Sequence, residues 1–290
     1  MSRAGIKVAI VQLDCKISRE SANMKRAERY IRKAAAEGAR LVCLPESFLT
    51  SGNLLEVADV AVTIPGDCTD RLTALARDFK LYIVAGLLEK AQGVFHSTSL
   101  LIDPNGDIAG IYRRTHCFEM ERRYITPGQQ YPVFDTEIGR IGLLQGYDVN
   151  FPESCRELYR KQVDIIACSA LIPERFAYVT RQILLSRVIE SQCYLIFASG
   201  VGANIYAGFR YMGHSQVLAD PLFLEEELFD FEDGDEALVS MAMDEGYELV
   251  EINVDRLRKY RESHSLSGDL VPHTYWQEIP LVATLNREVG

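Results

Sequence analysis

Two kinds of strand connection are mixed along this chain, and together they limit the folds that it can adopt. Residues 7–13 and 40–44 are apolar runs rich in β-branched residues, and the helical pattern between them completes a βαβ unit. Residues 94–102 and 107–112 instead flank an Asp-Pro-Asn-Gly turn at 103–106, which favours a β-hairpin. Because hairpins argue against a simple doubly wound sheet, the pattern predicts an α/β fold of two mixed sheets packed together with helices outside.

The remaining apolar runs extend this alternation of strands and helices. Strands are predicted at residues 81–88, 132–136, 141–144, 164–169, 194–199, 215–218 and 247–254, and helices at 53–60, 67–80, 152–161 and 174–192. In the last of these helices Ile183, Leu184, Val188 and Ile189 recur at helical spacing and are predicted to face inward.

Length and charge exclude several classes of protein. We expect residues 1–290 to form a single domain, with residues 265–290 as a C-terminal tail. The formal charge of −10 disfavours nucleic acid and anionic membranes as partners. No signal peptide follows Met1, and no apolar run approaches the roughly 18 residues of a membrane span, so we expect a cytoplasmic protein. The acidic stretch 225–236 is expected to be a solvated loop or an interface edge.

The cysteines show no pairing pattern. Their number, seven, is odd, and Cys43, Cys168 and Cys193 lie in apolar runs, so we expect reduced, buried thiols. No CxxC motif or cluster of His and Cys suggests zinc, and we expect neither a metal nor a cofactor.

Residues 140–153 have the local pattern of an active site. A short apolar run predicts a buried strand, residues 145–148 form a sharp exit, and Pro152 marks the start of a helix. A strand that leads through a tight turn into a helix can lift a nucleophilic side chain clear of the sheet. The residue at the tip is Gly146, which has no side chain.

Two further polar positions follow predicted strands. Glu46 comes directly after Leu-Pro at the end of residues 40–44, and Arg114 follows the hairpin strand 107–112. Side chains at the carboxyl ends of strands face the crevice in which α/β sheets bind ligands. Taken singly, Glu46 is equally consistent with a surface or capping residue, and Arg114 with a solvated charge.

The order of these positions and their neighbours resembles the nitrilase superfamily of carbon–nitrogen hydrolases, from Lys7 to about Tyr275. The matching sequence motifs are Leu44-Pro-Glu-Ser-Phe48, Leu101-Ile-Asp-Pro-Asn-Gly106, Gly110-Ile-Tyr-Arg-Arg-Thr-His116, Thr126-Pro-Gly128, Gly142 to Glu153, and Gly213-His-Ser215 before Asp220-Pro221. The resemblance implies a four-layer α-β-β-α sandwich that pairs through helical faces into a homodimer or a higher homo-oligomer.

The resemblance also implies a set of catalytic positions. In the family a Glu acts as general base, a Cys attacks the amide or nitrile carbon, and a Lys stabilises the tetrahedral intermediate, often with a second Glu. Glu46 matches the base and Glu121 matches the second glutamate. Arg114 stands where the family has Lys, and Gly146 stands where it has Cys. An Arg does not release its proton, and Gly offers no nucleophile, so the two-step covalent route is closed.

Residues beside these positions are candidates for contact with a small amide, nitrile or carboxylate ligand. Specificity is expected to come from loops at residues 47–55, 116–125 and 170–176. The candidate ligand-binding residues are His116, Tyr147, Asp148, Cys168 and Ser169.

Three hypotheses follow. The first is a pseudoenzyme that binds a small ligand or a partner subunit without hydrolysing it. The second is a carbon–nitrogen hydrolase that uses a relocated nucleophile, with Cys117, Cys168 and Ser169 as candidates, or water activated by Glu46 and Glu121. The third is a scaffolding role in an oligomer, alongside an active relative.

Overall fold

Two six-stranded mixed sheets form the centre of the protein in the computed structural model, which describes residues 5–224, 236–264 and 266. The strands are β1 (Ile6–Gln12), β2 (Leu41–Cys43), β3 (Tyr82–Ala91), β4 (Val94–Ile102), β5 (Ile108–Arg113), β6 (Val133–Thr136), β7 (Gly139–Gln145), β8 (Ile165–Ala170), β9 (Tyr194–Ser199), β10 (Val201–Asn204), β11 (Phe209–Met212), β12 (Gln216–Leu218), β13 (Ala237–Ser240) and β14 (Gly246–Ile252). The helices are α1 (Glu20–Ala36), α2 (Val57–Val60), α3 (Asp67–Phe79), α4 (Pro152–Arg160), α5 (Ala177–Ser191), α6 (Pro221–Leu224) and α7 (Val254–His264), and short 3-10 helices lie at Glu119–Arg123, Gly146–Asn150 and Glu174–Phe176.

The two sheets have the same internal plan. The first has the order β14-β1-β2-β3-β4-β5, in which β1, β2 and β3 are parallel and the outer strands are antiparallel. The second has the order β13-β12-β9-β8-β7-β6, with β7, β8 and β9 parallel. The predicted pair of mixed sheets is therefore confirmed.

Alternating side chains of the first sheet enter two different cores, as the two-residue period of a strand requires. Val8, Ile10 and Val84 are fully buried in the core that the two sheets share. Their neighbours Ala9 and Val11 pack instead in a second core with α1 and α3. Since α4 and α5 cover the second sheet, the layers follow the predicted order α-β-β-α.

Some local predictions were wrong. In the predicted helix 53–60 only α2 is helical, and the predicted helix 174–192 begins with a 3-10 turn. Ile189 is 41% exposed rather than inward, because Arg187 takes the buried position and donates through Nε to the backbone oxygen of Val149 (2.8 Å).

The small hairpin of β10 and β11 was not predicted, because residues 200–213 lack a strong alternating pattern. The acidic residues 225–235 and nearly all of the predicted tail lie outside the described residues. Within the part of the chain that is described, the helices are too short or too polar to cross a membrane.

Candidate functional site

Glu46 is held at the end of β2 by a close approach between two backbones. Leu44 continues the pairing beyond β2, since its N–H donates to the carbonyl of Val84 (2.8 Å). A Cβ atom at Gly86 would lie only 2.6 Å from Cα of Glu46, so a glycine is needed there. Glu46 itself is 5% exposed, which places its carboxylate inside the protein.

Arg114 lies between two carboxylates. It follows β5, and its backbone N–H donates to the carbonyl of Ser97 (2.8 Å). Its Nη1 donates to Oε1 of Glu46 (2.7 Å), and its Nη2 donates to Oε2 of Glu121 (2.6 Å). The arginine is 4% exposed. The sequence-predicted residues Glu46, Arg114 and Glu121 therefore form one ion-pair cluster, in which Glu46 and Arg114 are buried and Glu121 is partly exposed.

Hydrogen bonds fix both carboxylates of this cluster. Glu121 lies in the 3-10 helix Glu119–Arg123, and its Oε2 also accepts from the backbone N–H of Phe118 (2.6 Å). The hydroxyl of Ser97 lies 3.1 Å from Oε1 of Glu46 and 2.5 Å from Oε1 of Gln145. Ser97 and Gln145 were not predicted as site residues, since both act through contacts between distant segments.

Gly146 lies opposite Glu46, at the start of the predicted turn. The strand β7 ends at Gln145, a 3-10 helix covers Gly146–Asn150, and α4 begins at Pro152, as predicted. Gly146 has a φ of +21°, at the edge of the left-handed region. A Cβ atom built there would lie 2.7 Å from Oε2 of Glu46. The carboxylate thus lies where a side chain of residue 146 would begin.

Burial raises the pKa of Glu46 to about 7, although the neighbouring Arg114 acts to lower it. Burial lowers the pKa of Arg114, but Glu46 and Glu121 raise it by more, and the guanidinium stays charged. Glu46 therefore changes its charge near neutral pH.

This pKa predicts a pH-dependent stability. Between about pH 4.5 and 7 the unfolded chain has lost the proton that folded Glu46 keeps, so the Glu46 contribution to unfolding free energy falls as pH rises. We expect the unfolding free energy of Glu46→Gln, relative to that of the natural protein, to rise by about 3 kcal/mol as the pH rises from about 4.5 to about 8. Urea titrations at several pH values measure this difference. A difference between the two proteins that does not change with pH would contradict this assignment.

Asp148 and His116 do not line the two cavities described below, and their ligand-binding roles stay predictions. Asp148 is fully buried and its oxygens accept from Tyr112 Oη (2.5 Å), Thr115 Oγ1 (3.1 Å), and the backbone N–H groups of His116 and Gln145 (both 3.1 Å). Nδ1 of His116 lies 3.0 Å from Asp148, and the imidazole stacks on Phe151 at 3.6 Å between ring centroids. Both residues fix the turn that carries Gly146.

Cys168 and Ser169 are also placed away from both cavities. Both are buried in β8, and Oγ of Ser169 donates to the carbonyl of Leu44 beside the first sheet (2.8 Å). Burial raises the pKa of Cys168 well above its usual value, and it raises the pKa of Cys117 as well. All seven cysteines are free and buried, as predicted.

Two cavities meet at the ion-pair cluster. The first cavity, of about 360 Å³, extends to the loop after Ser47 and to the β10–β11 hairpin. The second cavity, of about 430 Å³, includes the predicted residue Tyr147 together with Phe176. Both are lined by Glu46, Arg114, Phe118, Glu121, Leu171 and Pro173. Among the described residues there is no group of three or more His, Cys, Asp or Glu side chains that could hold a metal ion.

The fold and this arrangement define a carbon–nitrogen hydrolase domain. The model of the carbon–nitrogen hydrolase family matches residues 7–223, and the chain belongs to this family. The predicted membership of the nitrilase superfamily is thereby confirmed.

Relatives in the family include named hydrolases. A nitrilase of Pyrococcus abyssi is 36% identical over 74% of this chain and 82% of its own length. A deaminated glutathione amidase of Synechocystis is 31% identical over 83% of this chain and 89% of its own.

Solved structures share the fold at low identity. A carbon–nitrogen hydrolase of Helicobacter pylori G27 has a TM-score of 0.82 at 21% identity, over 94% of this chain and 97% of its own. A glutamate-to-glutamine variant of the Nesterenkonia sp. AN1 amidase has a TM-score of 0.77 at 20% identity, over 96% and 99% of the two chains. It shows covalent addition of the acetamide moiety of fluoroacetamide at its active site cysteine.

Proposed function

We propose that this chain is a non-hydrolysing carbon–nitrogen hydrolase homologue that binds a small molecule beside Glu46 and Arg114. The observation that carries the proposal is the pair formed by Gly146 and Glu46. Residue 146 has no side chain, and Oε2 of Glu46 lies 2.7 Å from the position that a Cβ atom would take. Covalent hydrolysis requires a nucleophile at the reacting carbon, and this position provides none.

The other candidate nucleophiles do not replace it. Cys168 and Ser169 do not line either cavity, and the hydroxyl of Ser169 is engaged with Leu44. Because burial raises the pKa of Cys117, this thiol stays protonated at neutral pH and is a poor nucleophile.

Arg114 supports the same proposal. A guanidinium keeps its proton at any physiological pH, and here its two terminal nitrogens are held by Glu46 and Glu121. We infer that Arg114 balances buried charge rather than moving protons. The cavities beside it are large enough for a small molecule, which supports retained binding.

One observation favours a second candidate, hydrolysis by water that Glu46 activates. A carboxylate with a pKa near 7 suits a general base at neutral pH, and Oε2 of Glu46 accepts no hydrogen bond from the described residues.

Ammonia release from a panel of small amides, carbamoyl compounds and nitriles tests both candidates. The natural protein is expected to release none. The double variant Gly146→Cys with Arg114→Lys should restore turnover at least about 100-fold above its matched control, Gly146→Ala with Arg114→Lys. The control adds the same Cβ without the thiol.

Ammonia release by the natural protein would contradict the proposal. If Glu46→Gln then abolished that release, the water-activating candidate would take its place. If both double variants fold and neither releases ammonia, the pocket has lost more than its reactive groups.

A further inference from the structure

Asn53 presents a buried acceptor that has no donor. It is 2% exposed and lines the first cavity. Its Nδ2 donates to Oε2 of Glu56 (2.6 Å), and since a carboxylate oxygen accepts, this contact fixes which end of the amide is nitrogen. The opposite atom, Oδ1, is buried without a hydrogen-bond partner. Such an atom can accept a hydrogen bond from an N–H or O–H group that the protein does not itself supply.

The two glutamates of the ion-pair cluster each keep one oxygen for the cavity as well. Arg114 and Ser97 use Oε1 of Glu46, and Arg114 and Phe118 use Oε2 of Glu121. Within the described residues, nothing donates to the other oxygen of either carboxylate. Three acceptor atoms of residues that line the first cavity therefore have no donor, and Nε of Arg114, which lines the same cavity, has no acceptor.

The residues that line the first cavity also carry an excess of negative charge. Its ionisable lining residues are Glu46, Glu119 and Glu121, with Arg114 as the balancing cation. When the carboxylates are ionised, acid exceeds base, and Arg114 is already shared between two of the glutamates. A carboxylate ligand would meet like charge, and an uncharged amide would leave the excess unbalanced.

The remainder of the cavity is apolar. Leu55, Met120 and Tyr206 line it while staying 68%, 50% and 50% exposed, which places apolar side chains at its rim. Exposed apolar side chains around a cavity with a few polar groups are typical of ligand sites.

We infer that the first cavity binds a primary ammonium ion carried on an apolar alkyl or arylalkyl chain. An ammonium group has three N–H donors and no acceptor, which matches the unpaired oxygens of Glu46, Glu121 and Asn53 and their excess of negative charge. The apolar chain would lie along the rim residues. This inference rests on the proposed function, because it assumes that the site binds without hydrolysing.

Calorimetric titration of the full chain with three probes of similar length tests it. At about pH 8, hexylammonium should bind at least about 10-fold more tightly than hexanamide, and hexanoate should show no binding. Equal or tighter binding of hexanamide or hexanoate, or no binding of hexylammonium, would overturn the inference. Ammonia release by the natural protein would instead remove the proposed function and leave this ranking of probes unaffected.

Two variants locate the binding site. Asn53→Ala removes the unpaired oxygen and should weaken hexylammonium binding about 5- to 10-fold, whereas Asn105→Ala in an exposed turn should not change it. Glu119→Gln should weaken binding about 2-fold, against no change in the exposed Glu153→Gln outside both cavities. Circular dichroism confirms that each variant is folded. Natural-like affinity in both folded cavity variants would refute the site.

Discussion

Replacing Arg114 with methionine is expected to cost about 3–5 kcal/mol of unfolding free energy at about pH 9, where Glu46 is ionised. The substitution keeps much of the side-chain volume but leaves Glu46 and Glu121 facing each other without a counter-charge. Glu46 is buried, so it cannot recover its lost partner in water. Urea titration followed by far-ultraviolet circular dichroism measures the loss of unfolding free energy.

The loss should depend on pH in a defined direction. At about pH 5 the carboxyl of Glu46 is protonated, so the cost of Arg114→Met should shrink. Arg122→Met, at an exposed arginine in the 3-10 helix that carries Glu121, is the control and should stay within about 0.5 kcal/mol of the natural protein. An equal cost at both pH values would show that lost packing, rather than uncompensated charge, explains the destabilisation.

Replacing Asp148 with alanine is expected to cost about 4 kcal/mol. The carboxylate accepts from the backbone N–H groups of Gln145 and His116 and from the hydroxyls of Tyr112 and Thr115. Without it, donors in the protein interior lose their partner, and their desolvation is no longer compensated. Asp148 also ties the turn at Gly146 to the segment after Arg114, so hexylammonium binding should weaken together with stability.

The control for Asp148→Ala is Asn150→Ala, in the same 3-10 helix. Asn150 is exposed, and its Nδ2 donates to the carbonyl of Tyr147 (3.0 Å). Its loss should cost less than about 1 kcal/mol. A similar, small cost for both variants would show that solvent replaces the contacts of Asp148, and it would contradict the role assigned here.

Glu46, Arg114 and Gly146 could be predicted from the sequence because each lies just beyond the end of a strand. A strand end has a local signature, and strand ends in α/β folds converge at one edge of a sheet. The resemblance to the family then supplied the order of these positions and added Glu121. The structure brings all four together.

Other site residues carry no such local signal. Asn53 falls both in the predicted helix 53–60 and in the predicted specificity loop 47–55, but the sequence does not show that its amide oxygen is buried without a partner. Gly86 lies within a strand pattern, and only the approach of Glu46 explains why a side chain does not fit there. Asp148 was assigned to the ligand because it neighbours Gly146, yet its hydrogen bonds satisfy it within the protein.

The contact between Ser169 and Leu44 links ligand binding at the site to the stability of the two-sheet sandwich. It joins the central strands of the two sheets next to the point where Glu46, from the first sheet, faces Gly146, from the second. A molecule held there would tie the two layers together at their seam. A bound molecule would then raise the free energy needed to separate the two sheets. With the cavity filled, we expect the two sheets to unfold as one cooperative unit.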